Sequence, residues 1–589
     1  MKYSLLAAAA LVSCAAQAAT PSAQPSDRQA LFGELHLHTG FSMDAVSFEG
    51  TMITPDEAFR FGRGDEIDYM GGKIRRREPL DFMAVTDHAE HMGVAYEFTR
   101  PETAAGQSDL GRRFRDWLTK KDHYGFGEMF AIADNPPPGV DPKAMVRSAW
   151  QRMIDAVKQN YVPGKFTTLL GYEWTAATGG PDLYQNLHRN VIFRGTDAPV
   201  PFSAKDSVRP EDLWSYLEEN RKRGIEAIAI PHNGNVSNGL MYDWVDSDGK
   251  PITKAYALRR ALNEPLTEIV QTKGQSETDP ILSPNDEYAN FEVYETLLTK
   301  TIKGKPHGSY IREAYGRGLV LDARTGANPY KYGVVGGSDL HGGLSDSHED
   351  TFFGEAGAKS RVVPTENEAA EILGLEKARL PSQVVKVELG SAGLTGVWAD
   401  ANTREDVYDA LRRKETFATS GNRIKVRFFG GWSDGAAILK NGQWVKAAYA
   451  QDVAMGGNLP SRPGDAKAPN FLIWALKDPS AANLDRVQVV KVWLEGDDYR
   501  EKIFDAAVAD GKPQEDHRSG NTEFLTAWSD PEFDAAKPSL YYVRVLEVPT
   551  LRWSTRLAAR YNLPVPKDVP PAIQERAWSS PIWYMPSHS

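Results

Sequence analysis

The sequence predicts an α/β fold followed by a β-rich module, and three observations carry that expectation. Between residue 31 and about residue 419, short apolar runs rich in β-branched residues alternate with longer amphipathic stretches, as when strands and helices are laid together. From about Arg423 onward the texture changes to aromatic and β-branched runs separated by Gly, Pro and Asp, which suits a sandwich-like module. The 589 residues exceed what one hydrophobic core supports, and 41% hydrophobic with 25% charged residues is ordinary globular composition.

In chain order, the expected strands of the first part are residues 31–37, 80–86, 166–172, 190–193, 225–230, 291–294 and 332–335. The expected helices are 56–61, 143–160, 210–223, 254–262 and 404–413. Pro55 with Asp56 suits a helix start, and the run from Asn220 to Gly224 suits a helix end. In the β-rich module the expected strands are 424–429, 471–476, 487–494 and 540–546. The glycine-punctuated, charged stretch 61–77 reads as an exposed loop or hairpin, placed where it could serve as a lid.

Residues 1–18 read as an export signal: Lys2 gives a positive start, residues 5–12 are apolar, and Ala16-Gln17-Ala18 is a small-x-small cleavage site. Leu11-Val12-Ser13-Cys14 offers a competing lipoprotein reading in which Cys14 is lipidated. Its apolar core would be short, so cleavage after Ala18 is favoured. The expectation is a periplasmic or secreted protein, with a leader at 19–30, a hydrolase domain at 31–425 and the β-rich module at 426–589. Past the signal, no apolar run approaches the ~20 residues of a membrane span.

The single cysteine is Cys14. After cleavage at Ala18 the mature chain has no thiolate to offer, so any metal must be held by histidine nitrogen and carboxylate oxygen. The formal net charge is −11, and the basic clusters at 75–77 and 412–414 are short. A nucleic-acid partner is therefore not expected.

With only 12 histidines, their placement is informative. His36-Leu37-His38 sets two imidazoles on one face of a strand. Asp44 follows across a loop. Residues 82–86 form an apolar stem ending in Asp87-His88; 167–172 ends in Glu173; 227–230 leads to His232; and 334–335 leads to Asp339-Leu340-His341. His188 precedes the apolar run 190–193. Taken singly, each has a bland explanation as a hydrogen-bonded histidine or a helix cap. Taken together, they place ligating groups at or beside the ends of five strands, where α/β barrels build their sites. Burying such a ring is costly unless a cation compensates it. No Gly-x-Gly-x-x-Gly, Walker-type loop or Gly-x-Ser-x-Gly turn is present, so nucleotide-cofactor and serine-nucleophile chemistry have no support.

The ordered set His36-x-His38, Asp44, Thr86-Asp87-His88, Glu173, His188, His232 and Asp339-x-His341 resembles the polymerase and histidinol phosphatase (PHP) family of metal-dependent phosphoesterases, over roughly residues 31–425. The phrases 32–36, 413–421 and 577–584 resemble an exported subgroup of that family. The resemblance implies a distorted (β/α)7 barrel holding two or three divalent ions, Mn, Zn or Fe. His36, His38, Glu173 and Asp339 would bind the first. Glu173 would bridge to a second, completed by His188 and His232, and Asp44, His88 and His341 would bind a third. Asp44 stands where some relatives carry histidine. Asp87 would orient its neighbours.

The implied chemistry is hydrolysis of small organic phosphate esters, phosphodiesters above all, by a metal-bridging hydroxide beside Glu173, with His91 as proton donor. Arg75–Arg77 could meet an anionic substrate. Two alternatives compete: an amidohydrolase-type enzyme acting on amides or carboxylic esters, and a non-catalytic secreted binding protein with a structural metal. The Asp-His after the second strand, the terminal Asp-x-His and the surplus of ligands argue against both.

Overall fold

The computed structural model describes residues 28–48, 50–120, 135–136, 138–298, 302–354, 359, 362–375, 386–464, 466–509 and 519–586. The expected export signal, Cys14 and residues 19–27 of the expected leader lie outside the described residues.

The apolar runs of the first part become β1 (Gln29–Glu34), β2 (Phe82–Val85), β3 (Thr167–Trp174), β4 (Arg189–Phe193), β5 (Ala227–Pro231), β6 (Leu266–Gln271), β7 (Gly333–Gly336), β8 (Leu394–Ala399) and β9 (Thr416–Thr419). Every residue of β2 and β3 is buried, which is why these runs read as continuously apolar. Helices α1 (Pro55–Gly62), α2 (Pro142–Gln159), α3 (Pro210–Lys222), α4 (Lys254–Asn263), α5 (Ile311–Thr325) and α6 (Arg404–Arg413) lie between them. Each expected helix has a local cause. Thr54 and Glu57 form a capping box ahead of α1, with Pro55 at its first position. Asp141 caps α2. In α3 acids open the first turn and Arg221 and Lys222 close the last, complementing the helix dipole. The described helices include none long and apolar enough to cross a membrane.

The sheet around the site mixes directions. β1 lies between β8, antiparallel, and β2, parallel; β2 and β3 are parallel; β3–β4 and β4–β5 are antiparallel. β6 and β7 pair in parallel within a separate three-stranded sheet. The mixed α/β architecture is as expected, but seven parallel strands in a closed ring are not what the ladders form. Two differences account for this. The connection 175–188 folds back on itself through the short pairing of Ala177–Thr178 with Gln185–Asn186, so β4 returns antiparallel without a crossover. β5 and β6 share no ladder among the described residues; Thr267 Oγ1 donating to Pro231 O at 3.1 Å bridges them instead.

The expected strand at 291–294 does not form. Glu292 sits at φ 40°, which breaks extended backbone, although Phe291 and Tyr294 are buried as their side chains suggest. The stretch 61–77 does contain a hairpin, Glu66–Tyr69 with Gly72–Arg75. However, Ile67 and Arg76 are buried, and Arg76 donates to the carbonyls of Glu78 and Ser345, so this segment is partly packed into the body.

The β-rich part supplies β10 (Lys425–Gly431), β11 (Asn470–Leu476), β12 (Leu484–Glu495), β13 (Asp498–Val508), β14 (Glu523–Ser529), β15 (Ser539–Glu547), β16 (Arg576–Ser579) and β17 (Ile582–Tyr584). β10, β11 and β14 form one sheet. β13, β12, β15 and β16 continue directly into β9, β8 and β1, inside a 12-stranded sheet. Phe428, Phe471, Ile473, Val489 and Val543 fill the space between the two sheets. A buried ion network also crosses from the first part to the second. Arg312 of α5 pairs with Glu277 at 2.5 Å, and Arg544 of β15 pairs with Asp286 at 2.7 Å. Glu277 further accepts from Tyr542 and Trp578, each at 2.7 Å.

Candidate metal centre

The backbone just past the strand ends gathers the ligating residues into a collar. Asp339 N donates to His36 O at 2.8 Å, His38 N to Leu340 O at 2.9 Å, and Thr86 N to Leu37 O at 2.9 Å. Glu173 N donates to Asp87 O at 3.0 Å, and His232 N to His188 O at 3.3 Å. His188 arrives by a different route from the others. It precedes β4, which runs the opposite way, so the start of that strand lies beside the end of β3, with Glu173 opposite Asn190. Gly337 must be glycine here: a Cβ would stand 2.4 Å from Glu268 Oε2 and 2.7 Å from His36 Cβ.

Glu173 is the hub. Its Oε2 lies 3.1 Å from His36 Nε2, 3.1 Å from His38 Nε2 and 3.5 Å from His232 Nε2. Its Oε1 lies 2.8 Å from His188 Nδ1 and 3.3 Å from His88 Nδ1. Asp339 Oδ1 sits 3.3 Å from the Nε2 of both His36 and His38. Asp44 Oδ2 lies 3.0 Å from His88 Nε2 and 3.1 Å from His341 Nε2. Three overlapping groups could hold metal ions: His36, His38, Glu173 and Asp339; Glu173, His188 and His232; and His38, His88 and His341. All nine expected ligands therefore converge. The third group differs from expectation in taking in His38, with Asp44 touching its other two members.

Hydrogen bonds behind the collar choose the tautomers. His341 Nδ1 faces the carbonyl of Asp339 at 3.0 Å and must donate to it. His36 Nδ1 faces Glu268 Oε2 at 2.9 Å. His38 Nδ1 faces Ser42 Oγ at 2.9 Å, and that hydroxyl is itself committed as a donor to Asp87 Oδ1 at 2.7 Å. In each case the proton sits on Nδ1 and the Nε2 lone pair points into the cluster, the arrangement metal ligation needs. His38 Nε2 and both ring nitrogens of His232 are buried without an aligned hydrogen bond among the described residues. Buried polar atoms left so are rare, and divalent ions would satisfy His38 Nε2 and one nitrogen of His232. The donors are imidazole nitrogens and carboxylate oxygens, a set that could hold divalent metals.

The electrostatics fit the same purpose. Burial works against ionisation of Glu173, Asp44 and Asp339, yet neighbouring imidazoles, and Lys273 beside Asp339, hold all three well below the usual carboxylate range. Burial, together with the nearby His341 and His88, lowers His38; burial above all takes His188 down to about 4. Both imidazoles are thus kept neutral, as ligands must be. At His36, His88 and His341 burial again works against protonation, but neighbouring carboxylates outweigh it and raise all three, so an ion binding there would displace protons.

Asp87 accepts from Thr39 N at 2.6 Å, Thr39 Oγ1 at 2.7 Å and Ser42 Oγ, which places it behind His38 rather than at the reacting centre. His91, expected as a proton donor, sits in a left-handed turn at φ 57° and is not among the residues lining the cleft above the cluster; Glu90 is. The Arg75–Arg77 segment also contributes nothing to that lining, and Arg77 pairs with Asp350.

Sequence reasoning missed four participants. Glu268 was legible in principle, as a lone carboxylate inside the apolar run of β6. Lys273, whose Nζ contacts Asp339 Oδ2, Gln271, which donates to the same oxygen at 2.8 Å, and Tyr184, 3.1 Å from His188 Nε2, carry no sequence signal.

The fold and site define a mixed α/β protein whose buried His, Asp and Glu groups could hold divalent metals. The chain belongs to the DUF3604 family, described as proteins of unknown function, whose model matches residues 25–586. No curated protein matches it. Among solved structures it is similar to a two-domain protein from Bacteroides vulgatus described as containing a predicted PHP-like metal-dependent phosphoesterase. That chain is 10% identical, and the match covers 90% of this chain and 94% of the other at a TM-score of 0.29, too low to carry an argument.

Proposed function

We propose that the protein is an exported, metal-dependent phosphoesterase acting on small organic phosphate esters, with phosphodiesters as the preferred class. The observation that carries this reading is the sharing of ligands. Glu173 belongs to two of the three potential metal groups, and its two oxygens face different histidines, an arrangement suited to adjacent ions in one open site rather than to a closed structural site. The order of the nine residues, which resembles the PHP motif set, supports phosphorus over carbon as the reacting centre. β1–β3 and β5–β7 serve the site through the segments that follow them, and β4, which runs the other way, through the segment that precedes it.

His36, His38, Glu173 and Asp339 would hold one ion and Glu173, His188 and His232 a second, while His88 and His341, with His38 and Asp44 beside them, would hold a third. Divalent ions held there would supply Lewis acidity toward phosphoryl oxygens and acidify water. The protein's own part is orientation. Glu268, Ser42 and the Asp339 carbonyl fix the imidazole tautomers, Asp87 fixes Ser42, and Lys273 adds positive charge at the cleft.

The test is metal content by elemental analysis together with hydrolysis of bis(p-nitrophenyl) phosphate by apo and reconstituted protein. The expected result is two or three ions per chain, with activity lost on chelation and in His38→Ala. Metal without turnover of any phosphate ester would move the assignment to amides or carboxylic esters, and no stoichiometric metal would overturn it.

A further inference from the structure

The cleft above the cluster has a volume of about 550 Å³. Its floor is polar: Asp44, His88, Glu173, His188, Asp339 and His341. Its walls are not. Met43, Phe48, Val208 and Leu298 come to it from three separate stretches of chain, and Phe48 and Val208 remain 42% and 41% exposed. Large apolar side chains left open to water beside a buried charged cluster need an occupant of matching chemistry. A sugar or nucleoside would find partners in Thr175, Tyr184, Lys205 and Asn233 but would set its other hydroxyls against Met43, Phe48, Val208 and Leu298. Lys273 lines the same cleft, with its Nζ against Asp339 Oδ2 at the boundary between polar floor and apolar wall.

The geometry points to an anionic ester whose alcohol portions are apolar, such as a diaryl or bulky dialkyl phosphate. Its charged group would lie over the floor beside Lys273, and an apolar substituent would rest on Phe48, Val208 and Leu298. This deepens the phosphoesterase reading and rests on it. Lys273 acts here as a fixed positive charge that binds the anion. The apolar wall sets which esters enter.

Binding can be measured apart from turnover. Isothermal calorimetry on the metal-loaded protein would compare diphenyl phosphate with bis(2-hydroxyethyl) phosphate. Diphenyl phosphate is expected to bind at least about tenfold more tightly. Phe48→Ser with Leu298→Ser should shrink that ratio toward unity, and Lys273→Met should weaken both ligands. Equal affinities in the wild-type protein, or no binding of either ligand, would overturn the inference without needing any variant to fold. Turnover of bis(p-nitrophenyl) phosphate alongside equal affinities would leave the phosphoesterase reading standing and remove only the apolar preference. Tight diphenyl phosphate binding without turnover would keep the preference and remove the reaction.

Discussion

Asp87 touches none of the nine ligands' donor atoms, yet its removal should weaken metal binding. It accepts three short hydrogen bonds, two from Thr39 and one from Ser42, and Ser42 Oγ in turn receives the Nδ1 proton of His38. In Asp87→Ala the serine hydroxyl is free to rotate and to donate to His38 instead. That would favour the other tautomer and take the Nε2 lone pair away from the cluster. Partners of this kind are worth about 10–100-fold in metal affinity, or about 1.4–2.7 kcal/mol. Asp87→Asn keeps one oxygen for Thr39 N and Ser42 Oγ and gives up only the bond at Oδ2, so its loss should be the smaller of the two. The assay is competition for Zn²⁺ against a chromogenic chelator, with circular dichroism of the apoproteins confirming an intact fold. If the folded Asp87→Ala variant held zinc as tightly as wild type, the relay through Ser42 would play no part in ligation.

Two further predictions concern the body of the fold. Glu277→Gln leaves Arg312 and Arg544 with Asp286 as the one remaining carboxylate they share and should lower stability at pH 7 by about 3–5 kcal/mol, read by urea denaturation. Burial alone would raise Glu277, but Arg544 and Arg312 bring it down to about 2, so its contribution is present above pH 4.5 and is lost as pH falls toward 2; the gap between variant and wild type should close over that range. Glu547 behaves the opposite way: burial pushes it up to about 8, so the folded state favours the protonated acid, and stability present below pH 4.5 is lost as pH rises to 8. Glu547→Gln should remove that dependence, a difference on the order of 5 kcal/mol at pH 9, visible as a flatter melting temperature between pH 5 and pH 9.

The nine residues that converge were legible because a metal site would restrict residue type and position at once. An imidazole or carboxylate at the end of a wholly apolar strand has few other reasons to be there. Strand direction is not written that way. The composition of residues 189–193 is the same whether the chain arrives by a crossover or by the hairpin it uses, so the antiparallel β4 was invisible. β6 was missed because Glu268 and Gln271 interrupt its apolar run, and both are there to serve the site. The opposite error came at 291–294, where apolar side chains are buried from an irregular backbone. The burial of Arg76 in a stretch expected to be exposed was not legible because its partners, two carbonyls, leave no mark on the side-chain pattern. The texture change near Arg423 was real, but composition could not reveal that both textures share one hydrogen-bonded sheet.

The position of β1 has a consequence in time. One edge of this strand, which leads into His36 and His38, is paired residue by residue with 395–399, from Gln29 with Ala399 to Gly33 with Thr395. At about 5–20 residues per second of synthesis, the first strand of the site waits about 20–70 s for its neighbour to exist. Through that interval His36 and His38 have no Asp339 to share an ion with, and a metal met early would find only part of its ligand set. Loading of an ion there would therefore be an event of the finished chain, and protein trapped with only its N-terminal half folded should bind added metal more weakly than the complete chain.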